Sequence, residues 1–135
     1  MSSEEGLEDL INKISVKKDM ANTIKEQQAI LAKLNIQALN PMQEEAISII
    51  QSHSNTILLS PTGTGKTLAF LLPLIQNLDP DSNEVQVLIL VPSRELAIQI
   101  EQVVRNMGSG FKVNAVYGGR PMAKDKIELK HIPAI

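Results

Sequence analysis

One run of eight residues, Ser60 to Thr67, limits what this chain of 135 residues can fold into. It reads Ser-Pro-Thr-Gly-Thr-Gly-Lys-Thr and stands between a short apolar run, 56–59, and a long apolar stretch, 66–78. Alternate glycines allow positive φ angles and a close approach of the backbone, so the N–H groups can line a concave anion site. The run therefore predicts a strand, a phosphate-binding turn and a helix whose N-terminus faces the phosphates.

Two side chains of this run carry its chemistry. Lys66 is placed to reach the outer phosphates of a nucleoside triphosphate, and the Thr67 hydroxyl to bind Mg²⁺. The other members of the predicted nucleotide site are Ser60, Pro61, Thr62, Gly63, Thr64 and Gly65. Glycine is usual where Ser60 stands, so serine is a small departure. The alternative is a strand–helix turn that binds no ligand, and the order of strand, loop and helix favours the nucleotide site.

Two more strands are predicted downstream: the continuous β-branched run 85–91 and a third strand, 112–117. They alternate with helices predicted over 94–107 and 121–131, the first of them capped by Ser93. Continuous apolar runs such as 56–59 and 85–91 are typical of strands buried on both faces of a parallel sheet. The fold class is therefore α/β, with a parallel sheet of right-handed βαβ units.

Three helices are predicted ahead of the phosphate loop. The third begins at Asn40 and Pro41, an N-cap followed by proline at the first helical position, and runs to about residue 52. The first two cover 4–15 and 20–34, the second with Asp19 as its N-cap. The apolar face of that second helix consists of Ile24, Ile30, Leu31 and Leu34.

Composition excludes several classes of protein. Without cysteine, the chain has no disulfide framework, no thiolate metal site and no cysteine nucleophile. Its only aromatic residues are Phe70, Phe111 and Tyr117, too few for a platform on which bases stack. A net charge of −2 argues against a simple basic nucleic-acid binder. No apolar run approaches the ~20 residues that span a bilayer, so we expect no membrane association and a cytoplasmic location.

Four blocks, in order, resemble the DEAD-box RNA helicases of superfamily 2. Residues 60–67 resemble motif I of that family, and the run Pro92-Ser93-Arg94-Glu95-Leu96-Ala97 resembles motif Ia. Gly118 and Gly119 match the glycine doublet that follows the third strand. The run Pro41-Met42-Gln43 is similar to the end of the Q motif.

The resemblance implies a RecA-like P-loop NTPase domain that binds ATP and Mg²⁺. It assigns catalytic roles to Lys66 and Thr67, and it implies that the Gln43 amide reads the adenine edge. RNA would contact the chain through its sugar–phosphate backbone, which requires neither aromatic residues nor a large positive charge. The residues implied in that contact are Pro92, Ser93, Arg94, Gly118, Gly119 and Arg120.

The acidic residues that ATP hydrolysis requires are missing from the matched blocks. A carboxylate must follow a buried strand to hold Mg²⁺ and orient water, but 85–91 leads into Pro-Ser-Arg and 112–117 into Gly-Gly. We therefore expect an N-terminal helical segment, 1–34, and a partial helicase ATP-binding domain, 35–135, truncated before Walker B. Such a chain is expected to be inactive alone, its partners being RNA and the rest of the helicase, including a second RecA-like domain.

Adenine selectivity is expected to be weak, because no aromatic residue precedes Phe70 to stack on the base. Two alternatives stay open at this point. One is a different P-loop NTPase, such as a DNA helicase or a nucleotide kinase. The other is a non-enzymatic adaptor that uses the same fold to bind nucleic acid or protein.

Overall fold

The computed structural model describes residues 2–135, except for the side chains of residues 2–5, 18, 21 and 24. Within that range lie five helices: α1 (Ser2–Lys33), α2 (Pro41–Ser52), α3 (Lys66–Gln76), α4 (Arg94–Met107) and α5 (Met122–Glu128). Helices α2 to α5 occur where the sequence predicts helices, with bounds that differ by a few residues. The first part of the chain differs from its prediction.

Helix α1 is continuous, so the prediction of two helices over 4–15 and 20–34 is wrong. Asp19, predicted to cap the second helix, lies inside α1, where its carbonyl accepts a hydrogen bond from the Thr23 hydroxyl at 2.9 Å. The physical reason is local, because residues 16–19 contain neither glycine nor proline to end a helix. Of the predicted apolar face, Ile24 lies outside the described side chains, while Ile30 and Leu31 are buried.

Helix α3 lies at the centre of the molecule. Leu71, Leu72 and Pro73 are fully buried, and the core around them also takes in side chains of α1, α2 and α4. Pro73 lies inside the helix, which continues for three residues beyond it to Gln76. Since α3 begins at Lys66, its packing fixes where the phosphate loop leads into the helix.

The predicted strands are not formed as strands. No part of 56–59, 85–91 or 112–117 belongs to a β-ladder within residues 2–135. Burial on both faces is also wrong, because Ile57 and Leu59 are 87% and 88% exposed. In 85–91 the side chains alternate, with Val87, Ile89 and Val91 against the core and Leu88 and Leu90 exposed. With Leu88 and Leu90 79% and 86% exposed, the described residues leave that face of 85–91 uncovered.

The last two residues connect two of these segments. The N–H groups of Gln86 and Val87 donate to the carbonyl of Ala134, at 2.9 and 3.0 Å. On its other side, the Ala134 N–H donates to Lys112 O at 2.9 Å, and the Asn114 N–H donates to Ile135 O at 3.0 Å. An apolar groove of about 430 Å³ lies between 85–91 and 113–116.

None of the helices in residues 2–135 is long and apolar enough to cross a membrane. The described side chains include no cluster of three or more histidine, cysteine or acidic groups suited to a metal ion.

Candidate nucleotide-binding site

The loop from Ser60 to Gly65 combines two left-handed backbone positions with an uncapped helix. Gly63 and Gly65 have φ angles of 82° and 87°, which only glycine adopts without strain. Gly65 is the N-cap of α3 and has no side chain to accept a hydrogen bond from the first turn. The helix therefore begins with free donors, as a phosphate-binding turn requires.

A row of backbone donors follows from this geometry. The N–H groups of residues 65–68 donate no hydrogen bond to any atom that the structure describes, and the first bond of α3 runs from Ala69 N to Gly65 O at 3.2 Å. Unpaired N–H groups at a helix N-terminus carry partial positive charge, strengthened by the helix dipole. An anion at this point would supply the missing acceptors.

The ammonium group of Lys66 lies over the same loop. Its Nζ donates to the carbonyl oxygens of Ser60 and Pro61, the second at 2.8 Å. These acceptors are neutral, so a phosphate oxygen would be a stronger partner for the cation. Thr67, the predicted Mg²⁺ ligand, follows in the first turn of α3 and is half-buried.

Ser60 has a structural use at the position where glycine is usual. Its Oγ lies 2.5 Å from Thr64 Oγ1, and Thr64 Oγ1 also donates to Pro61 O at 2.8 Å. The two hydroxyls thus close the loop across its base. The departure from glycine is accommodated by this pair.

Gln43 connects the start of α2 to the loop. Its side chain is only 6% exposed, so a solvated position on the helix surface is excluded. Its Oε1 accepts from Asn40 N at 2.9 Å and its Nε2 donates to Gly65 O at 3.2 Å. A Cβ atom on Gly65 would collide with Gln43 Nε2. The predicted adenine reader therefore also holds the N-cap of α3.

Asn40 has a second role that the sequence reasoning missed. Its Oδ1 accepts from Gln43 N at 2.9 Å, which completes a capping box with the Gln43 side chain. Its Nδ2 donates to Thr64 O at 3.1 Å. The spacing of Asn40 and Gln43 is that of a capping box and signals the first contact, but only the fold brings Asn40 to Thr64.

Two of the blocks predicted to contact RNA meet in the structure. Ser93 caps α4 by accepting from Leu96 N at 3.2 Å, and both it and Pro92 are exposed. The Arg94 side chain is 60% exposed and its Nε lies 3.5 Å from Glu95 Oε1. A Cβ atom on Gly119 would lie 3.2 Å from Arg94 Nη1, so the glycine doublet adjoins the start of α4.

Arg120, also predicted to contact RNA, is turned toward the chain. Its Nη2 donates to Glu128 Oε1 at 2.9 Å, its Nη1 to Ala115 O at 3.0 Å, and its Nε lies 3.4 Å from Asp125 Oδ1. The guanidinium also lies 5.1 Å from the centre of the Tyr117 ring. The hydrogen bond to Glu128 raises the pKa of Arg120 above its usual value. Its side chain is 13% exposed, unlike that of Arg94.

The loop, its uncapped helix and the lysine define a protein of the P-loop type by motif and local geometry. The sequence model of the DEAD/DEAH box helicase domain matches residues 40–135. That range includes the candidate nucleotide site and both blocks near α4. The chain belongs to the DEAD/DEAH box helicase family.

Curated relatives agree with this family. A probable ATP-dependent RNA helicase of Bacillus subtilis, YfmL, is 41% identical over 70% of this chain and 26% of its own length. DEAD-box ATP-dependent RNA helicase 6 of Oryza sativa subsp. japonica is 40% identical over 67% of this chain and 18% of its own. ATP-dependent RNA helicase DHH1 of Yarrowia lipolytica is 41% identical over 67% of this chain and 18% of its own length. The chain thus spans between about a fifth and a quarter of these relatives.

Proposed function

We propose that this chain binds ATP with Mg²⁺ through the loop 60–67, as the nucleotide-gripping part of an ATP-dependent RNA helicase. One observation carries the proposal: the N–H groups of residues 65–68 lack acceptors at the start of α3, and Lys66 lies over the same loop. Family membership supports the use of a nucleotide, since the relatives are ATP-dependent helicases. The same membership argues against a nucleotide kinase.

The proposed roles follow the positions of the side chains. Lys66 binds the outer phosphates and Thr67 supplies a hydroxyl ligand for Mg²⁺, while the loop from Ser60 to Gly65 binds through its backbone. The metal, when bound, neutralises charge between the outer phosphates. Gln43 uses one acceptor and one donor within the chain, and its amide retains a second lone pair and a second N–H. Those are the two groups that bidentate reading of adenine requires.

We also propose that 56–59, 85–91 and 112–117 are strand positions of a parallel, RecA-like sheet in residues 35–135. The hydrogen bonds of the C-terminal residues support this for 112–117. Ala134 bonds to Lys112 and Ile135 to Asn114, so the bonded positions rise together along both segments, as in parallel pairing. Residues 1–34 would form a separate N-terminal helical segment. The cytoplasmic location of the protein stays a prediction.

For RNA, we propose a backbone contact formed by the start of α4 and the glycine doublet. The residues are Pro92, Ser93, Arg94, Gly118 and Gly119, and their support is the proximity of Arg94 to Gly119. Arg120 takes a positioning role instead, since its guanidinium is engaged by Ala115 O and Glu128. We propose single-stranded or locally duplex RNA and a second RecA-like domain as partners of the whole helicase, whose ATP hydrolysis would drive RNA unwinding.

Equilibrium binding of a fluorescent ATP analogue with Mg²⁺ tests the nucleotide site. We expect binding by the chain and its loss in Lys66→Ala, with Lys25→Ala as a matched control because Lys25 is an exposed lysine of α1. Unchanged affinity in Lys66→Ala would overturn the assignment.

We also expect no Mg²⁺-dependent ATPase activity from the chain alone. An ATPase activity that is present in this chain and vanishes in Lys66→Ala would overturn that expectation. Equal affinity for ATP and GTP, unchanged in Gln43→Ala, would show that Gln43 does not select the base.

Fluorescence anisotropy with a labelled single-stranded RNA tests the second contact. We expect Arg94→Ala to weaken binding and to reduce its salt dependence, because one phosphate contact is lost. Arg105→Ala is the control, since Arg105 lies on the same helix and bonds to Glu101 at 2.7 Å. Equal effects of the two substitutions would contradict the proposed surface.

A further inference from the structure

The N-terminal half of α1 presents an apolar stripe to solvent. Leu7, Leu10, Ile11 and Ile14 are between 54% and 58% exposed, and their spacing of three, one and three residues places them on one face of the helix. The opposite face of the same segment carries Val16. Four large aliphatic side chains along two turns form the kind of surface that a helix buries against a partner.

Among the described side chains of α1, those that contact the rest of the molecule lie toward its other end. Ile30 and Leu31 are buried, Gln27 Oε1 accepts from Gln76 Nε2 at 3.2 Å, and Lys33 Nζ donates to Gly108 O at 2.7 Å. At 1.5 Å per residue, the middle of the stripe lies about 25 Å along the helix from Gln27. A single helix of this kind is marginal in water, so its partner adds the missing stability.

Charge along α1 indicates what the partner is. The sequence places acids at 4, 5, 8 and 9, before and within the stripe, and lysines at 13, 17 and 18, within and after it. Asp9 and Lys13 pair at 2.6 Å, yet both stay about two-thirds exposed, so their charges remain open to a second helix. A helix with acids at one end of its stripe and bases at the other is complementary to itself when reversed.

We propose that α1 mediates a dimer of this chain, in which two copies of the stripe pack antiparallel. Turning one copy about the point between Leu10 and Ile11 sets Leu7 of one helix opposite Ile14 of the other. The same turn sets the acidic end of each helix beside the basic end of its partner. A parallel pair would place like charges together and bring both folded bodies to the same end, whereas the antiparallel pair holds them at opposite ends.

The dimer is expected to be weak, because two helical turns bury less than the roughly 1,200 Å² of stable interfaces. Sedimentation equilibrium over a range of concentrations tests it. We expect Ile11→Asp to raise the dissociation constant at least about tenfold, since it buries a charge in the stripe. Val16→Asp, on the opposite face of α1, is the matched control and should change it less than about twofold. A monomer at all concentrations, or equal effects of the two substitutions, would overturn the dimer.

Cross-linking tests the orientation, and the absence of cysteine from the chain makes it clean. Leu7→Cys and Ile14→Cys are prepared as separate variants, mixed and oxidised. The antiparallel pair predicts that the disulfide between Leu7→Cys and Ile14→Cys forms faster than a disulfide between two copies of either variant. Faster cross-linking of Leu7→Cys with itself would show a parallel pair and overturn the proposal. Circular dichroism of each variant verifies that the helices are retained.

Discussion

At the scale of single residues, the phosphate loop contains two glycines with the same backbone conformation and different surroundings. A Cβ atom at Gly63 would meet nothing within 4 Å, whereas one at Gly65 would collide with Gln43. We expect Gly63→Ala to lower the free energy of unfolding by about 1 kcal/mol through backbone strain alone. Gly65→Ala should lower it by at least about 2 kcal/mol, because Gln43 must also move. Urea unfolding monitored by circular dichroism measures both, and equal losses would contradict the collision.

The amide of Gln43 gives a second expectation at this scale. Gln43→Ala leaves Asn40 N and Gly65 O without their partners, at a cost of about 1–3 kcal/mol. Gln51→Ala is the control, because Gln51 is an exposed residue of the same helix whose side chain bonds to the half-buried Gln76 at 2.9 Å. The urea midpoint should fall for the first variant and barely move for the second. A similar midpoint for both would mean that the capping box contributes nothing.

Single-residue features were predictable where the chemistry is local. The positions of Gly63, Gly65 and Lys66 follow from the motif, because a left-handed turn and a helix start need only neighbouring residues. The burial of Gln43 depends on Gly65, and the inward turn of Arg120 depends on Glu128 and Ala115. Gly65 is 22 residues from Gln43, and Ala115 and Glu128 lie five and eight residues from Arg120, so these contacts do not belong to a turn or helix-cap pattern.

At the scale of elements, helix α4 is defined by its ends. Ser93 accepts from Leu96 N, and Gly108 ends the helix in the left-handed conformation, with a φ of 56°. Both signals can be read in the sequence, and both are local. Helix α1 shows the converse, since residues 16–19 contain no glycine or proline to end a helix and the prediction of two helices fails.

The cap of α4 can be tested directly. Ser93→Ala should lower the free energy of unfolding by about 1 kcal/mol, because the N–H of Leu96 loses its acceptor. Ser93→Asp keeps an acceptor and adds a negative charge at the helix N-terminus, so it should retain most of the stability. Thermal unfolding of the two variants measures the difference. Equal loss in both would show that the cap is not what holds this end of the helix.

At the scale of the whole molecule, the helical core packs against one face of 85–91, and the described residues leave Leu88 and Leu90 on its other face exposed. A helix forms its hydrogen bonds within its own residues, whereas a strand needs a neighbour from elsewhere in the chain. The sequence pattern of 56–59 is that of a strand, but no described segment pairs with it. The location of the helices was therefore predictable and the pairing of the strand positions was not.

Substitution of Ile135 tests how much the C-terminal residues contribute to the stability of the core. Its side chain is 9% exposed and belongs to the core, whereas Ile132 is 56% exposed. We expect Ile135→Ala to lower the free energy of unfolding by about 2–4 kcal/mol. Ile132→Ala should change it by less than about 0.5 kcal/mol. Urea denaturation of the two variants measures both free energies of unfolding. A small effect of Ile135→Ala would mean that this end of the chain does not pack in solution.

The position of Ala134 between two segments also sets an order of events during folding. No backbone hydrogen bond joins 85–91 directly to 112–117 within residues 2–135, and the connection passes through Ala134 and Ile135. Contacts between residues far apart in sequence form slowly, because a long loop must close first. The helices around α3 can pack while the chain is still being synthesised, but the two segments become joined only after residue 134 has emerged. A ribosome-bound chain that stops short of it would hold a packed helical layer and an open apolar edge, a surface that chaperones recognise.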